Sequence, residues 1–112
     1  MNDAVSPAEL QQLLDQGAKM RVYDVRKIKD RIDVEYPIPT AQWRDPEKVS
    51  QWHRDVGDVD EVIVFCVHGH HVSQSTRGEL RAHGIRARIL EGGITAWVDY
   101  ARSRQPARSG AS

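Results

Sequence analysis

Leu10, Leu13 and Leu14 are spaced to share one face of a helix, and the residues before them supply its start. Ser6-Pro7-Ala8-Glu9 has the form of a capping box with proline at the first helical position, and Gly17 is placed to end the helix. From Met20 to Val25 the pattern changes to a β-rich run that finishes in Asp24-Val25-Arg26. Lys27 to Glu35 is highly charged and without period, which predicts a surface excursion. Pro37 and Pro39 then hold the chain extended. Asp45-Pro46 opens a second predicted helix, with Val49, Trp52, His53 and Val56 at i, i+3, i+4 and i+7. Val62 to Phe65 is a short continuous apolar run, the pattern of a strand covered on both faces. Ser73 begins a polar, helix-compatible segment that reaches His83 and is closed by Gly84. Arg86 to Leu90 is the next predicted strand. After Gly92-Gly93, the stripe Ile94, Trp97, Val98 and Ala101 marks a last helix.

Helices alternate with strands, the grammar of a mainly parallel sheet with helices on both faces. Ligands of such sheets bind beyond the carboxyl ends of the strands, which is where Cys66 falls. A chain of 112 residues is one domain by size. We expect that domain over residues 1–102. Positions 103–112, rich in Arg, Ser, Gly and Ala without periodicity, are expected to form a disordered tail.

Sixteen basic side chains balance sixteen acidic ones, so no general attraction to nucleic acid or to an anionic membrane is expected. The apolar run Val62 to Val67 is far too short to span a bilayer. The start, Met-Asn-Asp-Ala-Val-Ser-Pro, has neither a basic nor an apolar leader segment. A single cysteine cannot close an internal disulfide, so the fold needs no oxidising compartment. Cytoplasmic residence is the expectation.

Cys66 is followed by Val67, His68, Gly69, His70, His71 and Val72, a six-residue loop between a buried strand and a helix start. Gly69 permits the twist that turns successive N–H groups inward. Inward amides plus the positive end of a helix form an anion cradle, and a thiol above it is favoured as its nucleophilic thiolate. A free cysteine can also be a small buried hydrophobe. Its place after a buried strand and before a glycine and a helix argues for the reactive role.

This loop resembles the active-site loop of the rhodanese-like sulfurtransferases, and further matches follow in order along the chain. Asp24-Val25-Arg26 is similar to the family's Asp-Val-Arg element. Ile38-Pro39-Thr40-Ala41 is similar to its Ile-Pro-Gly-Ala segment, with Thr40 in place of glycine. Leu90-Glu91-Gly92-Gly93-Ile94 followed by Trp97 is similar to its C-terminal signature. The resemblance implies a three-layer α/β fold with a five-stranded, mainly parallel sheet. It also implies that Cys66 takes a sulfane sulfur as a persulfide from a small donor, thiosulfate or a persulfide. The sulfur then passes to a thiol or cyanide acceptor, or to a sulfur-relay protein. The loop backbone from Val67 to Val72 would hold the persulfide. No cofactor is implied.

Many family members carry arginine at the fifth position after the cysteine and serine at the sixth. Here these are His71 and Val72, with Ser73 one place later. The loop therefore has no permanent cation. Histidine's ordinary pKa of about 6.5 leaves only partial charge at neutral pH, so weak use of dianionic thiosulfate is expected, improving toward about pH 6. Arg26, Trp43 and Arg44 are candidates for the pocket rim. Arg44 is a possible source of the missing cation, and Arg26 either faces the pocket or pairs with Asp24 or Glu91.

Other readings fare less well. Cys66, His68, His70 and His71 are all metal-ligand types, but neighbours in a tight loop rarely converge on one ion, and no metal site is expected. A phosphatase or arsenate-reductase chemistry needs a fixed guanidinium, and the Cys-x5-Arg pattern has Val72 where the arginine belongs. A catalytically silent, partner-binding member of the family typically lacks the cysteine that this chain keeps. Trp52 and Trp97 lie at helical spacing and are expected in the core. His53 and His83 are expected on helices, exposed or capping, and the arginines of the tail in solvent.

Overall fold

The structure, a computed structural model, describes residues 3–31, 33–69 and 71–104. Among the described residues, nine strands and α-helices follow one another: β1 (Ala4–Val5), α1 (Pro7–Asp15), β2 (Met20–Asp24), β3 (Gln42–Trp43), α2 (Val49–Trp52), β4 (Glu61–Phe65), α3 (His71–Ala82), β5 (Ala87–Leu90) and α4 (Gly93–Arg104). The five strands form one sheet in the order β1-β5-β4-β2-β3, and every pairing is parallel. This is the α/β architecture that the alternation predicts.

Strand β4 shows why its sequence is apolar without alternation. Val62 and Val64 turn to one face, where Tyr23, Val49, Trp52, Leu80 and Ile89 pack. Ile63 and Phe65 turn to the other, against Val5, Leu10, Val22, Leu90, Ile94 and Trp97. Helices α2 and α3 thus cover one side and α1 and α4 the other, each through a few side chains at helical spacing. Trp52 and Trp97 are both buried, as their spacing predicts.

Helix α1 begins as expected: the Ser6 N–H donates to Glu9 Oε1 at 2.9 Å and the Glu9 N–H to Ser6 Oγ at 3.1 Å. The second helix departs from expectation. It is broken into a 3-10 turn (Pro46–Lys48), the single α-turn of α2, and another 3-10 turn (His53–Asp55). Trp52 Nε1 donates to the Asp45 carbonyl at 2.7 Å, and Lys48 N–H donates to the same oxygen at 3.0 Å. That carbonyl is the one an α-ladder would offer to Val49, so the ladder starts late.

Strands β1 and β3 have two residues each, too short to show a period. Helix α3 begins at His71 rather than Ser73, so His71 and Val72 belong to its first turn and not to the loop. Helix α4 runs on through Ser103 and Arg104, which corrects the expected start of the tail. Ser103 Oγ donates to the Tyr100 carbonyl at 2.8 Å and Arg104 Nη1 to Tyr100 Oη at 2.9 Å, so polar contacts carry the helix past its apolar stripe. Positions 105–112 lie outside the described residues. Thr40 has φ +66°, the left-handed region that β-branched residues disfavour. That conformation explains why a glycine suits this position in the related segment.

Candidate active site

Strand β4 is central, and the chain leaves it toward β5 on one side, whereas it leaves the neighbouring β2 toward β3 on the other. Two adjacent strands whose connections diverge open a crevice between their carboxyl ends. Cys66 follows the last residue of β4, and Arg26 and Lys27 follow the end of β2, so both connections meet at that crevice. A cavity of about 190 Å³ lies there, with Cys66, Val67, His68, His71 and Val72 on one wall and Arg26, Lys27 and Asp30 on the other.

The Cys66 side chain is 7% exposed, and its Sγ lies 3.3 Å from Ser73 Oγ in a hydrogen bond. Ser73 is fully buried on α3. Starting α3 two residues earlier than the sequence suggests is what brings Ser73, one place out of register with the related motif, into contact with the thiol. Among the described residues, the N–H groups of Val67 and Gly69 donate to no carbonyl or side chain. His70 lies outside the described residues.

The loop is seated on the start of α4. The Cys66 carbonyl accepts from the Ile94 N–H at 2.9 Å and the Val67 carbonyl from the Thr95 N–H at 3.2 Å. Gly93 has φ +63°, and a Cβ there would overlap the carbonyl oxygens of Cys66 and Val67. At Gly69, φ is +77° and a Cβ would lie 3.0 Å from the Gly92 nitrogen and 3.1 Å from the Leu90 carbonyl oxygen. The Leu90-Glu91-Gly92-Gly93 segment is therefore the platform on which the cysteine loop rests, and glycines permit that close approach.

The proposed rim residues divide. Arg26 lines the cavity and also pairs with Asp24: Nε donates to Oδ1 at 3.0 Å and Nη2 to Oδ2 at 2.8 Å, while the Arg26 N–H donates to Oδ1 at 2.9 Å. Arg26 thus combines the two alternatives, lining the cavity while paired with a carboxylate, that of Asp24 rather than Glu91. Trp43 borders the adjoining cleft with Lys27 and not the Cys66 cavity. Its Nε1 donates to the Arg26 carbonyl at 2.8 Å, so it steadies the backbone of the rim. Arg44 does not reach the cavity, which corrects the expectation that it supplies the cation. Its guanidinium lies over the Tyr23 ring, 5.0 Å from the centroid, and donates to the Trp43 carbonyl and to Gln42 Oε1. Sequence reasoning missed Lys27 and Asp30, because the charged stretch after β2 has no period to say which side chains turn toward the sheet. Among the described residues, no three His, Cys, Asp or Glu side chains form a group able to hold a metal ion.

A larger cleft of about 720 Å³ lies at the opposite end of the sheet, around the loop before β4 and the residues before β5. There His53 and His83 stack face to face, with ring centroids 3.7 Å apart. No spacing along the chain announces that meeting, since the two residues are on different elements.

The sequence model of the rhodanese-like domain family matches residues 6–100, and the chain belongs to that family. A rhodanese homolog of Thermus thermophilus is 31% identical, with 85% of this chain and 99% of that one covered and a TM-score of 0.59. A thiosulfate sulfurtransferase of Pseudomonas aeruginosa is 22% identical at a TM-score of 0.75, with 90% of this chain covered but only 19% of that longer one. A protein of Rhodopseudomonas palustris, described as a possible tyrosine phosphatase, is 17% identical at a TM-score of 0.77, with 89% and 82% covered. Comparison with curated proteins gives no match. Among the described residues no helix is long and apolar enough to cross a membrane.

Proposed function

We propose that the chain is a cytoplasmic sulfurtransferase working through a persulfide on Cys66. The observation that carries this reading is the position of the thiol. It lies at the carboxyl end of the central strand, hydrogen-bonded to a buried serine and opening onto a small cavity at the divergence of two connections. With thiosulfate, the Cys66 thiolate attacks the outer sulfur, the S–S bond breaks, and sulfite leaves with the bonding pair. The enzyme keeps the sulfur as a persulfide anion. Cyanide then attacks the outer persulfide sulfur, thiocyanate leaves, and the Cys66 thiolate returns. A thiol acceptor, small or on a relay protein, removes the sulfur in the same way. The N–H groups of Val67 and Gly69 are the donors that suit the negative charge carried by each intermediate.

The phosphatase chemistry named for the Rhodopseudomonas relative finds less support. Val72 occupies the position of its arginine, and Arg26 is held by Asp24. Whole-protein mass spectrometry after incubation with thiosulfate or a small persulfide tests the proposal on wild type beside Cys66→Ser. Wild type is expected to gain the mass of one sulfur and to lose it to cyanide, and the variant to gain nothing. Equal gains in both would remove the mechanism. No gain with any donor would leave the partner-binding module as the reading.

A further inference from the structure

The wall of the cavity that faces the cysteine loop is formed by Arg26, Lys27 and Asp30, the last of these closing a 3-10 turn (Ile28–Asp30). The Asp30 N–H donates to the Lys27 carbonyl at 2.8 Å, which closes the turn. Lys27 is the extended N-cap of this turn and Asp30 its last residue. Both line the cavity with Cys66. Lys27 is exposed and Asp30 half-buried. Among the described residues, neither side chain makes an ion pair or a hydrogen bond, with the other or with any third group. Arg26 beside them is different, because its guanidinium is bound to Asp24.

The site thus offers a cation and a carboxylate, both unpaired, around a mouth whose remaining lining is Arg26, Cys66, Val67, His68, His71 and Val72. A dianion such as thiosulfate gains from Lys27 and is opposed by Asp30. A zwitterion answers both charges at once, each through a charge-assisted contact. We infer that the preferred sulfur donor is the persulfide of a small α-amino acid, its carboxylate held by Lys27 and its ammonium by Asp30. This rests on the sulfurtransferase reading above. In the step, the Cys66 thiolate attacks the terminal sulfur of the donor R–S–SH and the donor S–S bond breaks. The amino-acid thiolate leaves with the bonding pair, and the proton stays on the transferred sulfur. Nothing is oxidised or reduced overall.

Three donors separate the two contacts: cysteine persulfide, N-acetylcysteine persulfide, which lacks the ammonium, and cysteamine persulfide, which lacks the carboxylate. The readout is the single-turnover rate at which Cys66 gains one sulfur by mass. Wild type is expected to react with cysteine persulfide about tenfold faster than with either analogue, the size of one partly exposed charged contact. Asp30→Asn is expected to erase the preference over the N-acetyl donor alone, and Lys27→Gln the preference over the cysteamine donor alone. Equal wild-type rates for the three donors, or variants that slow all three alike, overturn the inference and leave the sulfurtransferase reading intact. No sulfur on Cys66 from these donors or from thiosulfate sinks both.

Discussion

Ser73 lies in the first turn of α3. Its hydroxyl is fully buried and meets the Cys66 thiol at 3.3 Å. A hydroxyl can rotate, accepting from the thiol in the resting protein and donating to the sulfur once that sulfur is charged. Ser73→Ala removes the contact and adds no bulk. The expected result is sulfur uptake by Cys66 slowed about fivefold, the worth of about 1 kcal/mol for one hydrogen bond. Stopped-flow or quenched mass measurements read that rate directly, and an unchanged rate would make the serine a packing residue only. Cys66 itself was legible because the chain has no other cysteine and because a glycine and a helix follow a buried strand. The contact with Ser73 was not, since it depends on where α3 begins, and no capping residue marks that start.

Between elements, the decisive contact joins the cysteine loop to the start of α4. Two carbonyls of the loop are satisfied by the first amides of that helix, and Gly93 leaves no space for a side chain between them. Gly93→Ala forces a left-handed alanine and pushes the loop away. A loss of about 2–4 kcal/mol in denaturant unfolding is expected from the two effects together, along with loss of sulfur uptake at Cys66. Stability and uptake both at wild-type level would show that the loop does not need this seat. The pairing explains in physical terms why Leu90-Glu91-Gly92-Gly93 is as informative as the cysteine loop: the two segments are one structural unit. Sequence order alone placed both glycines after a strand, but only the fold set them against the active-site backbone.

Across the whole molecule, the two ends of the sheet have different chemistry. At the end away from Cys66, the turn after α2 is joined to the end of α3 by the stacked rings of His53 and His83. Burial, the facing His83 and the adjacent Arg54 hold the His53 pKa below its ordinary value, against a smaller opposite pull from Asp55. The unfolded chain therefore binds the proton more readily than the folded one. This contribution to stability is present above the ordinary histidine range of about pH 6.5 and is lost as pH falls through the lowered folded value. Urea midpoints for wild type and His53→Gln at about pH 7 and about pH 5 test this, given the sign of that linkage. Wild type is expected to lose more stability than the variant over that interval. Parallel losses would show that folding leaves the proton affinity of His53 unchanged.

The sequence by itself determined what is written in local pattern: three long strands, two helices with clear apolar stripes, a capped start to α1, and a cysteine at a strand end. These are legible because each side-chain period reports directly which face is buried. Only the tertiary structure decided the rest. Two-residue edge strands exist because a neighbour supplies their hydrogen bonds, and α2 breaks because Trp52 occupies a carbonyl. Lys27 and Asp30 face Cys66 because β2 and β4 are adjacent and their connections diverge. Each of these depends on residues far apart in the chain being brought together, and no spacing along the chain encodes that.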